Sequence, residues 1–243
     1  KISPEQLEAS ITPRTRLIFI NSPSNPTGAV YSREELTALG DVLRKHPDIV
    51  IATDDMYEHI LWTDEPFVNI ANACPDQIDR IVVMNGVSKA YSMTGWRIGY
   101  CGGPAKLIAA MKKIQSQSTS NPCSISQKAA EAALNGDQGC IEPMLKAFKE
   151  RHDFVVSQLN AIDGVSCINS AGTFYAFADF RGVIERMEKI SNDLELADFL
   201  LGGAGVALVP GSAFGAEGYM RISFATSMEM LEQALGRIAT ALA

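Results

Sequence analysis

The sequence lacks several features that mark particular classes of protein. None of its apolar runs approaches the roughly 20 residues that a membrane-crossing helix needs. Its 21 lysines and arginines are outnumbered by 28 aspartates and glutamates, and the net charge of −7 argues against partnership with nucleic acid or an anionic membrane. The three histidines are far apart and predict no metal site. The five cysteines form no CxxC pair, and their odd number and wide spacing favour a reducing cytoplasm over a disulfide framework.

Apolar residues are abundant. They make up 47% of the 243 residues, so the chain should bury a sizeable core, as one large domain or as one domain with part of another. The first residues show neither an initiator methionine nor a signal-peptide pattern. We therefore interpret Lys1 as an internal residue of a longer chain, or as the result of trimming.

The first half of the chain alternates apolar runs with helical patterns. Short runs rich in valine and isoleucine are typical of strands covered on both faces, which predicts a mainly parallel α/β sheet sandwiched by helices. The predicted strands are RLIFINSP, DIVIATDD and DRIVVMNG, with RIGYCGG as a weaker fourth candidate. A first helix should begin after Ser32 as N-cap and stop at Pro47. Two later helices are predicted over PAKLIAAMKKIQSQ and SISQKAAEAALNG, and the second should close at Gly136.

The second half has a different pattern. A long helix, EPMLKAFKERHDFVVSQLNAI, is followed by strands and helices that alternate less regularly and are joined by glycine-rich segments. This pattern predicts a smaller α+β domain connected by the long helix. We predict a large domain over residues 1–140, which binds the ligand, and a small C-terminal domain over residues 141–243.

Polar side chains follow the three predicted parallel strands. Asn25, Asp54, Tyr57 and Lys89 should therefore meet at the carboxyl edge of the sheet, where open α/β sheets bind ligands. Each has a structural alternative: the asparagine could form a turn, Asp54 or Asp55 could cap a following helix, the tyrosine could lie in the core and the lysine could be solvated. Four such coincidences at one edge favour a functional site.

The chemistry of this set suggests pyridoxal phosphate (PLP). A lysine in such a place can form a Schiff base with PLP, and a carboxylate such as Asp54 is then needed at the pyridinium nitrogen. Tyr57 and Asn25 could both reach the ring O3′ atom, and Arg97 could bind the phosphate with its planar fork. On this interpretation the partners of Lys89 and Arg97 are the aldehyde and the phosphate of the cofactor.

Several motifs together resemble the class I and II aminotransferases, the aspartate aminotransferase family of fold type I PLP enzymes. In family order they are SPSNPTG, TDDMYEHILW, NGVSKAYSMTGWRIGYCGGP, QSTSNPCSISQ, GTFYAFADF and GVALVPGSAFGAEGYMRISFATS. The resemblance implies that Lys89 is the Schiff-base lysine and Asp54 the pyridinium partner. It further implies that Tyr57 and Asn25 bind O3′ and that Arg97 binds the phosphate.

The resemblance extends to the substrate and has two departures. Arg221 in YMRIS resembles the arginine that binds the substrate α-carboxylate, together with Asn25, whose bond to Pro26 is often cis in the family. Some members have a serine where this chain has Gly86, and Ser88 is a weaker candidate to contact the phosphate instead. The family's front part, with its glycine loop and an aromatic residue stacked on the ring, is not among these residues. We therefore expect the 243 residues alone to bind PLP poorly and to be inactive.

The implied function is transamination between an L-amino acid and a 2-oxo acid by a cytoplasmic homodimer, with Lys89 moving the proton as general base and acid. A β-lyase, synthase or decarboxylase of the same fold shares every motif above. A non-catalytic, aminotransferase-like regulatory domain is another alternative. A nicotinamide enzyme is disfavoured because no GxGxxG follows a strand. The sequence does not identify the substrate side chain.

Overall fold

A computed structural model describes all 243 residues. The chain forms two compact units: Lys1–Pro23 with Ala29–Pro143, and Ser24–Gly28 with Met144–Ala243. The contact boundary thus lies at Pro143, and a five-residue segment from the first half belongs to the second unit. The functional roles assigned above to residues 1–140 and 141–243 stay predictions.

The first unit is an α/β unit with four strands. Its strands are β1 (Leu17–Asn21), β2 (Val50–Asp54), β3 (Ile81–Gly86) and β4 (Gly99–Gly102). Its helices are α1 (Pro4–Ser10), α2 (Arg33–Arg44), α3 (Ile70–Ala73), α4 (Ala105–Ser118) and α5 (Ser124–Asn135), with 3-10 turns at Pro75–Arg80 and Thr94–Trp96. All four strands and the helices α2, α4 and α5 coincide with predicted elements, whereas α1, α3 and the two 3-10 turns were not predicted.

The sheet has the order β1-β2-β3-β4. The first three strands are parallel, as predicted, and β4 runs antiparallel to β3. In this register Asn21 pairs with Asp54, and Asp54 pairs with Met84. The carboxyl ends of the three parallel strands therefore lie level at one edge of the sheet.

The core of the first unit packs α2 against the sheet. Ser32 caps α2 as predicted: its hydroxyl accepts a hydrogen bond from Glu35 N–H, and the Glu35 carboxylate accepts one from Ser32 N–H. The helix face that turns inward is leucine-rich and meets isoleucines from the strands. The buried residues include Ile20, Leu36, Leu39, Leu43, Ile51, Ile70 and Ile81.

The second unit contains an antiparallel sheet of order β5-β6-β8-β7. Its strands are β5 (Ser166–Cys167), β6 (Tyr175–Asp179), β7 (Val209–Pro210) and β8 (Tyr219–Ser223). Its helices are α6 (Ile141–Asn160), α7 (Arg181–Arg186), α8 (Asp193–Phe199) and α9 (Met228–Ala241), with a π-helical turn at Leu200–Ala204 and a 3-10 turn at Gly211–Phe214. The predicted α+β character and the long helix α6 are confirmed. No helix of the chain is both long and apolar enough to cross a membrane.

A buried histidine links α6 to the loop before β6. His152 is only 2% exposed, and its Nε2 accepts a hydrogen bond from Ser170 N–H (3.1 Å). Its Nδ1 lies 2.9 Å from Asp153 Oδ1, so the neutral ring carries its proton on Nδ1. Burial lowers the pKa of His152, although the bond to Asp153 opposes this.

The lowered pKa predicts an acid-sensitive second unit. The unfolded chain takes up a proton on His152 near pH 6.5, whereas the folded chain resists it, so the free energy of unfolding should fall as the pH drops below about 6.5. Urea unfolding at pH 7.5 and 5.5 should show a smaller loss in His152→Gln, whose amide oxygen can still accept from Ser170 N–H. His59→Gln, at an exposed histidine, is the control. Equal acid losses in wild type and His152→Gln would contradict this account.

Candidate active site

Asp54 is the last residue of β2 and is partly exposed at the carboxyl edge of the sheet. Its Oδ1 accepts a hydrogen bond from Met56 N–H (3.2 Å), which turns the chain away from the sheet. Its Oδ2 has no hydrogen bond within the protein. The backbone of Asp54 is held by the neighbouring strand β1, because Asn21 Nδ2 donates a hydrogen bond to Asp54 O (3.1 Å). One oxygen of the carboxylate is thus available to a ligand.

The next residue, Asp55, does not cap a helix, and the capping role suggested for it is wrong. No helix starts here: residues 56–59 form a turn. Asp55 is 1% exposed, and its carboxylate accepts hydrogen bonds from Thr53 Oγ1 and Asn69 Nδ2, both at 2.6 Å. Burial raises the pKa of Asp55 to about 6, while these two donors act in the opposite direction. The adjacent aspartates therefore have opposite environments: Asp54 is partly exposed at the carboxyl edge of the sheet, and Asp55 is buried.

Lys89 lies in the turn that follows β3 and is partly buried. Its Nζ is 5.6 Å from the centroid of the Tyr57 ring, which itself is 4% exposed. A lysine ammonium at this distance from an aromatic ring is held by a cation–π interaction. Ser88, beside it in the same turn, is also partly exposed. The structure therefore places the predicted lysine and tyrosine in contact, on turns that follow adjacent strands.

Gly86 and Arg97 flank the lysine turn. A Cβ atom at Gly86 would lie 3.0 Å from Met56 Cε and 3.2 Å from Gly99 Cα, so a serine there would require Met56 to move. Arg97 has a left-handed backbone (φ 49°), and its exposed guanidinium donates to Thr94 O (2.8 Å). It forms no ion pair with a carboxylate, so most of its donors are available to an anion.

The other two predicted site residues belong to the second unit. Arg221 Nη1 donates to Asn25 Oδ1 (2.9 Å), which directly joins the residues predicted to bind the substrate carboxylate. The peptide bond between Asn25 and Pro26 is cis, as predicted, and a second cis bond occurs between Ser22 and Pro23.

Two aromatic rings contact the Arg221 guanidinium. Its Cζ is 4.4 Å from the ring centroid of Tyr175 and 5.1 Å from that of Phe214. Its Nε is buried without a hydrogen-bond partner, and the protein offers no acceptor to Nη2. The guanidinium thus has more donors than acceptors around it, which is the state expected of an arginine that binds a carboxylate.

The sequence analysis did not identify these two rings. Both lie inside motifs used for the resemblance, GTFYAFADF and PGSAFG, but nothing in either motif shows which aromatic side chain faces the arginine. The strand register alone would not have decided it either, because Phe177 is the residue opposite Arg221 in the ladder of β6 and β8, whereas Tyr175 is the residue of β6 whose ring contacts the guanidinium.

The fold is that of the fold type I PLP-dependent enzymes. Over its whole length the chain superimposes on 62% of the crystal structure of the aspartate aminotransferase from Rhizobium meliloti, with 49% identity and a TM-score of 0.94. It also matches 64% of an aromatic aminotransferase from Pyrococcus horikoshii OT3, with 34% identity and a TM-score of 0.91. The family model described as aminotransferase class I and II matches residues 1–238, and the chain belongs to that family.

Relatives with curated names agree with this assignment. An aspartate/prephenate aminotransferase from Nitrosomonas europaea is 64% identical over 247 residues, covering 100% of this chain and 62% of that protein. One from Cereibacter sphaeroides is 52% identical, covering 98% of this chain and 60% of that protein. The chain therefore spans about six-tenths of the length of the curated relatives it matches. Members of this family use PLP.

Proposed function

We propose that the protein is a PLP-dependent aminotransferase that transfers an amino group between an L-amino acid and a 2-oxo acid. The contact between Lys89 and Tyr57, on turns that follow two parallel strands, is the observation that carries the proposal. PLP chemistry requires a lysine amine for the aldehyde and a carboxylate for the pyridine nitrogen. Lys89 and Asp54 supply these two groups, with the Tyr57 phenol beside the amine. Family membership over residues 1–238 supports the same conclusion.

The residues of the first unit fit PLP. Asp54 Oδ2, which has no protein partner, would accept from the pyridine N–H and stabilise its positive charge. Tyr57 would donate to O3′, and Arg97 and Ser88 would donate to the phosphate. The family resemblance assigns Asn25, which belongs to the second unit, as a second ligand of O3′. Lys89 would hold the aldehyde carbon through Nζ. The bound cofactor supplies an electron sink that stabilises negative charge at the substrate Cα.

The protein's own chemistry then consists mainly of proton transfer and orientation. Lys89 Nζ acts as the general base that takes the proton from the substrate Cα, and later as the acid that returns it. Arg221 binds the α-carboxylate, and Asn25 holds one end of its guanidinium. With the substrate α-carboxylate held in place by Arg221, the Cα–H bond is the one presented to Lys89 Nζ.

We further propose aspartate as an amino donor and prephenate as an acceptor. The names of the relatives at 64% and 52% identity, aspartate/prephenate aminotransferase, support this choice. We also propose a cytoplasmic homodimer. The five free cysteines agree with a reducing compartment, and the resemblance to the family supports the dimer.

The test is an assay of the full-length protein with PLP and aspartate, with and without prephenate. Aspartate consumption that depends on prephenate, with a matching amount of aminated product, is the expected result. A lyase or decarboxylase would consume the amino acid without a 2-oxo acid, and a regulatory domain would bind PLP without turnover. Either result would exclude the proposed reaction.

Replacing Arg221 with lysine should weaken substrate binding strongly. The variant keeps the positive charge, but it loses the planar fork and its stacking on the two rings. Loss of charged, bidentate hydrogen bonds worth about 1.5–3 kcal/mol should lower kcat/KM for aspartate by about 10- to 100-fold, mainly through KM.

Arg181 provides a matched control. It lies in the same unit, its Cζ is 5.3 Å from the Tyr219 ring centroid, and it is paired with Asp179. Arg181→Lys should leave aspartate kinetics close to wild type. If the two variants had the same kinetics, Arg221 would have no role in substrate binding.

A further inference from the structure

A 3-10 turn, Gly211–Phe214, carries one of the two rings that contact Arg221. The turn is closed by its own backbone: Ala216 N–H donates to Gly211 O (2.9 Å), and Gly215 N–H donates to Ser212 O (3.1 Å). Only glycine fits at Gly211, because a Cβ there would lie 2.1 Å from Ala216 O. The position of the Phe214 ring therefore depends on how the whole turn is held against the rest of the unit.

A buried carboxylate holds this turn. Asp193, the first residue of α8, is 1% exposed, and its Oδ2 accepts a hydrogen bond of 2.6 Å from Ser212 N–H. Such a short bond to a charged acceptor is among the stronger hydrogen bonds in proteins. Ser212 and Phe214 are two residues apart in one turn, so the hydrogen bond to Ser212 also restricts the position of Phe214.

The other oxygen of the Asp193 carboxylate indicates that the hydrogen bond to Ser212 does more than stabilise the fold. Asp193 Oδ1 is buried and has no hydrogen-bond partner. A buried carboxylate with one unsatisfied oxygen costs the fold stability, whereas an apolar residue would not. A negative charge at the start of α8 is favourable for the helix, but a solvated carboxylate there would give the same benefit without the cost.

We propose that Asp193 is a positioning residue for Arg221. It fixes the Gly211–Phe214 turn through Ser212 N–H, and the fixed turn sets the Phe214 ring against the guanidinium. Phe214 and Tyr175 then limit the rotation of the guanidinium, while Asn25 binds Nη1. The fork is thereby preoriented for a carboxylate before the substrate arrives. This inference rests on the proposed role of Arg221.

The first experiment measures the affinity of the full-length, PLP-loaded protein for maleate, a dicarboxylate that does not react. Asp193→Ala removes the acceptor, and the Kd should rise about five- to tenfold. Asp193→Asn keeps an oxygen that can accept from Ser212 N–H, so its Kd should stay within about twofold of wild type. With aspartate as substrate, Asp193→Ala should raise KM while kcat changes less than threefold. An unchanged Kd in Asp193→Ala would overturn the proposal.

A double-mutant cycle tests whether the effect passes through the ring. Phe214→Leu alone should raise the Kd for maleate, and adding Asp193→Ala to it should change the Kd by less than twofold. Independent, multiplicative effects of the two substitutions would show that Asp193 does not act through Phe214.

A readout independent of activity distinguishes positioning from simple stabilisation of α8. Amide hydrogen exchange at Ser212, Gly215 and Ala216 should accelerate in Asp193→Ala and stay slow in Asp193→Asn. If Asp193→Ala does not fold, Asp193→Glu, which retains the charge at the helix start but displaces the carboxylate, takes its place and should show the same rise in Kd. A loss of thermal stability without a change in Kd would mean that Asp193 is merely structural.

The parent proposal can fail separately. If Arg221→Lys leaves maleate binding unchanged, Arg221 does not bind carboxylates, and the inference about Asp193 fails with it. If Arg221→Lys raises the Kd and Asp193→Ala does not, only the positioning role is wrong.

Discussion

Lys89→Ala should abolish transamination in the full-length protein while leaving its fold intact. The proposed mechanism uses Nζ both to hold the cofactor and to move the proton at the substrate Cα, and alanine supplies neither function. Proton transfer by a positioned group alone contributes about 10²- to 10⁴-fold, so the loss in kcat should reach at least the upper end of that range.

The stability of this variant should change little. Lys89 is partly exposed, and its cation–π interaction with Tyr57 is worth about 0.5–2 kcal/mol. Urea unfolding should therefore show a cooperative transition near that of wild type. A large loss of stability would mean that loss of activity in this variant reports on folding and not on chemistry.

The measurement combines kinetics with chemical labelling. Aspartate turnover is followed in wild type, Lys89→Ala and Lys128→Ala, the last being an exposed lysine paired with Glu131 on α5. Borohydride treatment of the PLP-loaded wild type and of Lys128→Ala should fix a pyridoxyl group on the peptide that contains Lys89, and none should be fixed in Lys89→Ala. Turnover within tenfold of wild type in Lys89→Ala would remove this residue from the mechanism.

The strand edge of the site could be predicted because its signals are local. Short runs of valine and isoleucine predicted β1, β2 and β3, and the polar residue at the end of β2 stands in the sequence itself. The parallel register, with Asn21 opposite Asp54, then aligns these ends without further information. The capping box at Ser32 and Glu35 is equally local, since both partners lie within three residues.

The surroundings of these residues could not be predicted, because they depend on contacts between distant segments. Asn25 belongs to the second unit and bonds Arg221, 196 positions away in the sequence. The antiparallel direction of β4 could not be predicted, because sequence periodicity carries no information on strand direction. The sequence also does not show that Asp193 binds Ser212 N–H, because an aspartate at the start of a helix is common without such a contact.

The pair Asp54 and Asp55 shows this limit most clearly. Two identical side chains follow the same strand, and alternation along a strand predicts only that they point in opposite directions. The partner that settles the role of Asp55 is Asn69, 14 residues further on. The sequence therefore predicted Asp54 to face the ligand and left a capping role open for either aspartate, whereas the structure makes Asp55 a buried anchor.

Substitutions at these two positions should have opposite consequences. Asp54→Ala removes the carboxylate proposed to stabilise charge on the cofactor nitrogen, so turnover should be lost by several orders of magnitude, as for a missing electrostatic group in an active site. The free energy of unfolding should change by less than about 1 kcal/mol, because Asp54 is partly exposed and its side chain makes one hydrogen bond.

Asp55→Ala should instead destabilise the protein by about 2–3 kcal/mol, since it leaves Thr53 Oγ1 and Asn69 Nδ2 buried without their acceptor. The fraction that remains folded should bind PLP and turn over. Urea unfolding and aspartate kinetics on both variants separate the two effects. If Asp55→Ala lost activity at full stability, while Asp54→Ala kept it, the assignment would be wrong by one residue.

The pH dependence of stability gives an independent test of Asp55. Its folded pKa of about 6 lies above the value of about 3.9 for an unfolded aspartate, so the folded protein binds the proton more tightly. This contribution is complete below pH 4 and is lost as the pH rises through 6, which lowers the free energy of unfolding over that window.

Asp55→Asn cannot titrate, and its unfolding free energy should fall less between pH 5 and 7 than that of wild type. Asp54→Asn should follow the wild-type curve, because the buried carboxylate of Asp55 is still present. Identical slopes in wild type and Asp55→Asn would show that Asp55 stays ionised throughout this range, held by Thr53 and Asn69 more strongly than burial opposes it.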